Sequence, residues 1–181
     1  MSDITKHYLE DSILQFQKMK VHAEKAMAQV SDEEFFQTID AESNSLALIV
    51  KHIGGNLLSR WTDFLTSDGE KEWRRRDQEF IVGAEESRAS LMQLWEDGWR
   101  VLFNALQPLQ VEDFEKKIII RGEPHTIVQA INRQLTHYSL HIGQIVFLAK
   151  HLKSTDWQTL SIARGKSEDF RQGMLNRFQT K

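Results

Sequence analysis

The stretch of sequence that decides the fold is Ala130-Ile-Asn-Arg-Gln-Leu-Thr-His137-Tyr-Ser-Leu-His141-Ile-Gly-Gln-Ile-Val-Phe-Leu-Ala149. Its apolar residues recur at helical spacing and predict one long helix. His137 and His141 are four residues apart, so their side chains leave the same helix face one turn apart and can reach one ion. Two imidazoles leave a divalent metal short of ligands. The candidate for a third is His52, in Leu48-Ile-Val-Lys-His52-Ile-Gly-Gly-Asn56 on a second apolar helix.

The composition is that of one globular domain. The chain has 181 residues, 40% hydrophobic and 27% charged, with a formal net charge of -3. Acids and bases are interspersed, so no basic face for nucleic acid is expected. The absence of cysteine excludes disulfides, thiolate metal ligands and a cysteine nucleophile. Because neither a signal-peptide pattern nor an apolar run of roughly 18 residues is present, we expect a cytoplasmic protein that does not enter a membrane.

Four amphipathic helices account for most of the chain. Apolar residues at three- and four-residue steps predict helices over about residues 3–30, 43–65, 84–107 and 126–152. Ser31-Asp-Glu-Glu is either a break or a cap for one further short turn, and Thr126 is the candidate cap of the fourth helix. The two prolines, Pro108 and Pro124, both lie between the third and fourth helices, so the rest of the chain is free to be helical. The sequence therefore predicts an all-α protein, an antiparallel four-helix bundle that forms a single domain over residues 1–181.

Two further segments differ from these helices. The β-branched stretch Lys116-Lys-Ile-Ile-Ile-Arg121, followed by Gly122-Glu-Pro124, predicts a strand and a turn, and its expected partner is Phe35–Asp40. The tail, residues 154–181, is too apolar to be simply disordered. We expect it to pack over the bundle or on a neighbouring subunit, partly as a helix over Ser167–Arg177, and a homodimer is the expected assembly.

The region after the second helix leaves alternatives open. The connection Glu70–Gly83 is long for an inter-helix loop, which suggests that it covers something. Its three consecutive arginines are more typical of a solvated surface or an ion-pair cluster than of an anion site. Gly54-Gly55 lies inside the second helix, where each glycine costs about 1 kcal/mol. This glycine pair indicates close helix packing, room for a ligand or metal beside His52, or both.

The histidine pair has two interpretations. His-x-x-x-His alone is a weak signal, because seven histidines in a chain of this length sometimes fall at that spacing by chance. Apolar neighbours such as Leu135 and Ile142 indicate a partly buried face, where an imidazole needs hydrogen-bond partners or a metal. Three neutral imidazoles suit zinc with water in the remaining position, and nickel, cobalt or iron accept the same ligands. The alternative is a structural bundle with core histidines.

Five further polar side chains are candidates to line the pocket around these histidines: Asn56, Arg60, Arg133, Gln134 and Gln144. The first two follow His52 by one and two helical turns. Arg133 precedes His137 by one turn, where it can position an anionic substrate group or form a structural ion pair. The two glutamines are candidate hydrogen-bond partners of ligating imidazoles. No carboxylate is evidently placed as a general base, and no phosphate loop, His-Glu-x-x-His or Gly-x-Ser-x-Gly motif is present.

The order of these motifs resembles a known superfamily. One histidine on the second helix, a long third helix and His-x-x-x-His on the fourth are similar to the DinB/YfiT-like superfamily of metal-dependent enzymes. The segments Trp73-Arg-Arg-Arg-Asp77 and Leu160-Ser-Ile-Ala-Arg164-Gly resemble an uncharacterised bacterial subgroup of it. The resemblance implies a bundle in up-down-down-up order, with a divalent metal held by His52, His137 and His141.

The resemblance also suggests a class of reaction. Characterised members include thiol S-transferases that use bacillithiol and a mycothiol-dependent maleylpyruvate isomerase, in which the metal activates a low-molecular-weight thiol. The hypothesis is therefore a metal-dependent enzyme of the thiol S-transferase or hydrolase type. Zinc or nickel is the expected metal, a low-molecular-weight thiol is the candidate co-substrate, and the substrate is an unidentified small molecule. The alternative is a non-catalytic metal-binding or interaction protein.

Overall fold

The fold is mostly helical. The structure is a computed structural model that describes residues 2–179, of which 4–178 have described side chains. Helix makes up 66% of it, and the described residues form six α-helices and one two-stranded antiparallel sheet. The elements are α1 (Ser2–Met27), α2 (Asp32–Phe36), α3 (Leu46–Trp61), α4 (Arg88–Leu106), β1 (Lys117–Ile120), β2 (Glu123–Thr126), α5 (Ile127–Lys153) and α6 (Ser167–Gln179). Within this described part, no helix combines the length and hydropathy that a membrane crossing requires.

Three helices are shorter than the sequence predicts, and capping residues set where two of them begin. Ser45 caps α3 and Ser87 caps α4, each accepting a hydrogen bond from a backbone N–H of the first turn, so both helices begin later than expected. The helix α3 ends at Trp61 rather than at residue 65, since Asp63 adopts a positive φ of 49°. The helix α1 ends at Met27, before the predicted residue 30. Thr126 caps α5, as predicted.

The sheet is a local hairpin, so the predicted pairing of the strand with Phe35–Asp40 is wrong. The strand β1 pairs with β2, and the two-residue turn Arg121-Gly122 joins them. Both turn residues have positive φ, 56° and 76°, which matches the right-handed twist of a tight hairpin. Pairing with the next segment also closes a much shorter loop than a distant partner would. Phe35 instead lies in α2, which Ser31 caps, and the chain then continues as coil.

Two glycines bring α3 and α4 close together. A Cβ atom on Gly54 would lie 2.7 Å from Leu94 Cγ, and one on Gly98 would lie 2.8 Å from Leu57 Cβ. Both distances are too short for real carbon contacts, so any side chain at either position would push the helices apart. The interpretation of Gly54 as a close-packing residue is confirmed. This crossing fixes the face that α3 presents to its other neighbour, α5.

An aromatic cluster joins the four long helices. Phe16 of α1 contacts the rings of Trp61 of α3, Trp99 of α4 and Tyr138 of α5, with ring centroids 5.9–6.3 Å apart. All four side chains are at most 2% exposed. The Tyr138 hydroxyl accepts a hydrogen bond from Trp61 Nε1 and donates one to Asn56 Oδ1, at 3.2 and 3.0 Å. These bonds tie α3 to α5 directly beneath the histidines.

The tail differs from expectation in part. Trp157 and Leu160 pack against the core, and the predicted tail helix is present as α6. However, every described side chain of α6 is exposed, including Phe170 at 51% and Phe178 at 65%. The expectation that the whole tail packs over the other helices is therefore wrong for α6. Its packing on a neighbouring subunit stays a prediction.

Candidate metal centre

The three histidines come together between α3 and α5. Nε2 of His137 lies 3.3 Å from Nε2 of His52 and 3.1 Å from Nε2 of His141. One ring nitrogen from each residue lies within 4.8 Å of the other two. Two nitrogen ligands of a tetrahedral zinc, each about 2.0–2.1 Å from the metal, are about 3.3 Å apart. Two of the three donor pairs are therefore spaced as in a tetrahedral zinc site, and the third pair, His52 and His141, lies within 4.8 Å.

Glu79 supports His52, and sequence reasoning missed it. It lies in the 3-10 turn Arg76–Phe80, within the long connection between α3 and α4. Its carboxylate accepts a hydrogen bond from His52 Nδ1 at 2.8 Å and two from Arg74, at 2.7 and 2.9 Å. Burial alone would raise the pKa of Glu79, but the hydrogen bonds from His52 and Arg74 outweigh it and hold the pKa below its usual value. The only sequence signal was the length of this connection.

The charge of Glu79 determines the tautomer of His52. An ionised carboxylate only accepts hydrogen bonds, so His52 must carry its hydrogen on Nδ1. The lone pair of Nε2 is then free and faces the other two histidines. A carboxylate that fixes a ligating histidine in this way is a common feature of metal sites.

Gly55 provides the space that Glu79 occupies. A Cβ atom on Gly55 would lie 3.0 Å from Glu79 Cδ and closer still to Oε1. The two adjacent glycines therefore serve different purposes: Gly54 allows close packing on α4, and Gly55 leaves room beside His52. What fills this room is a carboxylate that orients the histidine rather than a ligand.

The three imidazoles cannot satisfy one another by hydrogen bonds alone. Nδ1 of His141 lies 2.7 Å from Gln144 Oε1, so this ring too donates from Nδ1. The Nε2 lone pairs of His52 and His141 then both face Nε2 of His137. His137 Nε2 carries at most one hydrogen, so it can donate to only one of its two neighbours. At the other contact two nitrogen lone pairs face each other with no hydrogen between them. A cation at the centre removes this conflict, and the donor set therefore fits a metal.

Burial favours the neutral form of His137 and His141. Burial, followed by the charges of His141, His52, Arg60 and Arg74, lowers the pKa of His137 to about 3. Burial also lowers the pKa of His141, against the hydrogen bond with Gln144, which raises it. Because a metal binds the neutral form, protons compete weakly for these two ligands near pH 7.

Four of the five predicted pocket residues line one cavity beside the histidines. This cavity has a volume of about 190 Å³, and its lining includes Asn56, Arg60, Arg133 and Gln134. Gln144 does not line it and contacts His141 on the other side. Arg60 donates to Gly69 O and to Glu70 Oε2, so part of its guanidinium is used structurally. Arg133 is exposed and has no ion pair with any residue that the structure describes.

The arginine run of the connection divides between two environments. Arg74 is buried and pairs with Glu79 and, at 3.6 Å, with Glu70. Arg75 and Arg76 are exposed. The interpretation as an ion-pair cluster is confirmed for Arg74. Both Arg74 and Arg76 also line the cavity beside the histidines.

The fold and site define a class: a mostly helical protein with a three-histidine group that can hold a metal ion. Over residues 3–166 the chain matches the family described as "Protein of unknown function (DUF1572)", and it belongs to that family. Among curated proteins and among solved structures, none is similar enough to the chain to match it. Since the family is one of unknown function, the activity must be argued from the site.

Proposed function

We propose that His52, His137 and His141 bind one divalent metal ion, zinc or nickel, through their Nε2 atoms. We further propose that the protein is a metal-dependent enzyme of the thiol S-transferase or hydrolase type. The observation that carries the proposal is the Nε2 spacing of 3.1 and 3.3 Å, close to the value of about 3.3 Å for a tetrahedral zinc site. Membership of the DinB/YfiT-like superfamily, with its up-down-down-up four-helix bundle, belongs to the same proposal.

The residues of the site would have distinct roles in such an enzyme. A divalent ion held by three neutral histidines supplies Lewis-acid chemistry that favours the ionised form of a nucleophilic water or thiol. Glu79 keeps the hydrogen of His52 on Nδ1, and Gln144 does the same for His141. Both oxygens of Glu79 are already engaged by His52 and Arg74, so Glu79 acts as a positioning residue rather than as a base. Because the chain has no cysteine, the sulfur of a thiol reaction would come from a small-molecule co-substrate.

The second candidate function is a metal-binding or interaction protein without turnover. The exposed apolar side chains of α6 favour it, because apolar surface on an unpacked helix is typical of a contact with another chain. A homodimer and a location in the cytoplasm are further parts of the proposal. Sedimentation of the purified protein would test the dimer, and a monomer at all accessible concentrations would contradict it.

Metal content is the first test. The untagged protein is stripped with a chelator, reconstituted with zinc or nickel, and analysed for bound metal. We expect one equivalent in the wild type and in His151→Ala, whose histidine lies on the exposed face of α5. We expect His137→Ala to retain almost none. Metal well below one equivalent in the reconstituted wild type would refute the proposed centre.

Turnover is the second test, made on the metal-loaded protein. Bacillithiol, glutathione and water are offered as nucleophiles to a panel of electrophilic substrates, with the His137→Ala protein as the blank. Metal-dependent turnover with any of them supports the enzyme. If the fully metal-loaded protein shows no turnover with any member of the panel, the enzyme hypothesis is refuted and the second candidate function is favoured.

A further inference from the structure

The cavity beside the histidines is lined by an unusual number of positive side chains. Five arginines from four different segments of the chain contribute to it: Arg60, Arg74, Arg76, Arg121 and Arg133. They come from α3, from the connection before α4, from the hairpin turn and from α5. The volume of about 190 Å³ is below the roughly 300–1,000 Å³ of pockets for drug-sized ligands. It therefore suits a small group or one end of a longer molecule.

The protein neutralises these charges only in part. Glu70 accepts from Arg60 at 3.1 Å and from Arg121 at 2.8 Å, and Glu79 pairs with Arg74. These two carboxylates pair with three of the five guanidinium groups, and Asp68, which interacts with the charge of Arg60, adds a third negative charge. Neither Arg76 nor Arg133 has an ion pair among the described residues. The cavity therefore keeps a surplus of positive charge at its edge.

Buried polar atoms of the lining are also left without hydrogen-bond partners. Arg60 Nε and Gln134 Oε1 form no hydrogen bond within the described part of the chain, and neither does Arg74 Nη1, which lies 3.6 Å from Glu70 Oε1 in an ion pair. These three residues are only 4%, 9% and 3% exposed. A buried donor without a hydrogen-bond partner destabilises the protein, and a charged donor does so more strongly. Two guanidinium donors without a hydrogen bond, in residues that line one cavity, indicate a ligand that accepts hydrogen bonds and carries negative charge.

The position of the cavity relates it to the candidate metal centre. His52 and His137 line it together with the arginines. On α3, His52, Asn56 and Arg60 follow one another at four-residue steps. On α5, Arg133 and His137 have the same spacing. A molecule with its anionic end among the arginines therefore has its next atoms beside the histidines.

From these observations we propose that the arginine-lined cavity binds an oxyanion group, a carboxylate or a phosphate, of the small molecule on which the protein acts. That this molecule is a substrate rests on the proposed function. Anion binding itself depends only on the cavity. The arginines fix the anionic end, and the histidines face the part of the molecule that reacts.

Calorimetric titration of the folded, metal-free protein tests the cavity alone. The probes are inorganic phosphate and acetate, titrated separately at constant ionic strength, and their relative affinities show whether phosphate or carboxylate is the preferred group. We expect saturable binding of at least one probe. Arg76→Gln combined with Arg133→Gln should weaken binding roughly tenfold or more, since each change removes a charged donor. Both side chains are exposed, so the double variant should fold normally.

Arg100→Gln is the matched control, because this exposed arginine of α4 pairs only with its helix neighbour Asp97 among the described residues. It should leave the affinity unchanged. Absence of saturable binding of both probes, or equal affinity in the double variant and the wild type, would overturn the proposal. Metal analysis of the same samples separates the two hypotheses. If the protein takes up metal normally but binds no anion, only the proposed anion site is refuted. If it binds the anion but takes up no metal, only the proposed metal centre is refuted.

Discussion

Replacing Glu79 with glutamine should weaken metal binding although Glu79 is not itself a ligand. The amide has one oxygen where the carboxylate has two. If the amide nitrogen takes the position of Oε2, it faces the N–H groups of both His52 and Arg74, which lie 2.8 and 2.9 Å away. His52 can then avoid the clash only by moving its hydrogen to Nε2, where it blocks the lone pair needed for the metal. If the nitrogen instead takes the position of Oε1, it faces Arg74 Nε at 2.7 Å, and a buried arginine loses its charge-assisted bond.

The magnitude follows from these lost bonds. Loss of a hydrogen-bond partner of a ligating histidine weakens metal affinity by about 10- to 100-fold, or about 1.4–2.7 kcal/mol. Loss of one hydrogen bond to a charged group lowers the free energy of unfolding of the metal-free protein by about 1.5–3 kcal/mol. The assays are competition with a chromogenic chelator for the metal, and urea denaturation for stability. Both should be made on the same preparation of Glu79→Gln.

The control for this prediction is Glu168→Gln. Glu168 of α6 also accepts two hydrogen bonds from one arginine, Arg171, at 2.7 and 2.9 Å, but it is exposed and touches no histidine. The Glu168→Gln substitution should change neither the metal affinity nor the free energy of unfolding noticeably. A Glu79→Gln protein that keeps the native circular dichroism, binds metal as tightly as the wild type and is equally stable in urea would show that the carboxylate does not orient His52, because either orientation of the amide must lose one of these bonds.

Three further predictions concern the framework of the site. Gly54→Ala should lower the free energy of unfolding by about 1–2 kcal/mol in urea denaturation, because overpacking against Leu94 outweighs the helix preference of alanine, whereas Gly143→Ala on α5, with open space around it, should stabilise by up to about 1 kcal/mol. Burial alone would raise the pKa of Asp68, but three backbone N–H groups, two of them from the hairpin turn, hold it below 3.8. The ionised Asp68 carboxylate therefore stabilises the protein above pH 3.8, and this stabilisation is lost as the pH falls through the lower pKa of the folded state. Asp68→Asn should flatten this part of the stability–pH profile. Tyr138→Phe leaves a buried donor and a buried acceptor unpaired and should lower the melting temperature, corresponding to about 1–3 kcal/mol.

The sequence predicted the elements that depend on local pattern. The four long helices follow from apolar spacing, and the cap at Thr126 follows from residue type. The meeting of His52 with the pair on α5 was also expected from sequence, since one helical turn separates the pair and a second apolar helix carries the third residue. These predictions succeeded because helix periodicity places side chains on faces before any tertiary structure is known.

The parts that failed depend on contacts between distant residues. The hairpin partner of β1 was missed because a β-branched segment shows where a strand lies but not what it pairs with. Glu79 was missed because it lies in an irregular connection, where no period links a residue to the face it will meet. The exposure of α6 was missed because apolar residues at helical spacing suggest that a helix face is buried but do not show which part of the protein, or which other chain, covers it.

The bonds of Glu79 also bear on how the connection between α3 and α4 moves. Detaching this segment from the helix would leave Arg74 without its main counter-charge and would expose the gap at Gly55 to water. Opening is therefore opposed by the same interactions that fix His52. In a hydrogen–deuterium exchange experiment, the amides of the 3-10 turn Arg76–Phe80 should share the slow exchange of α3 instead of behaving as a surface loop. The connection and the helix then form one cooperative unit, and access to the histidines would come from the cavity side and not from movement of this segment.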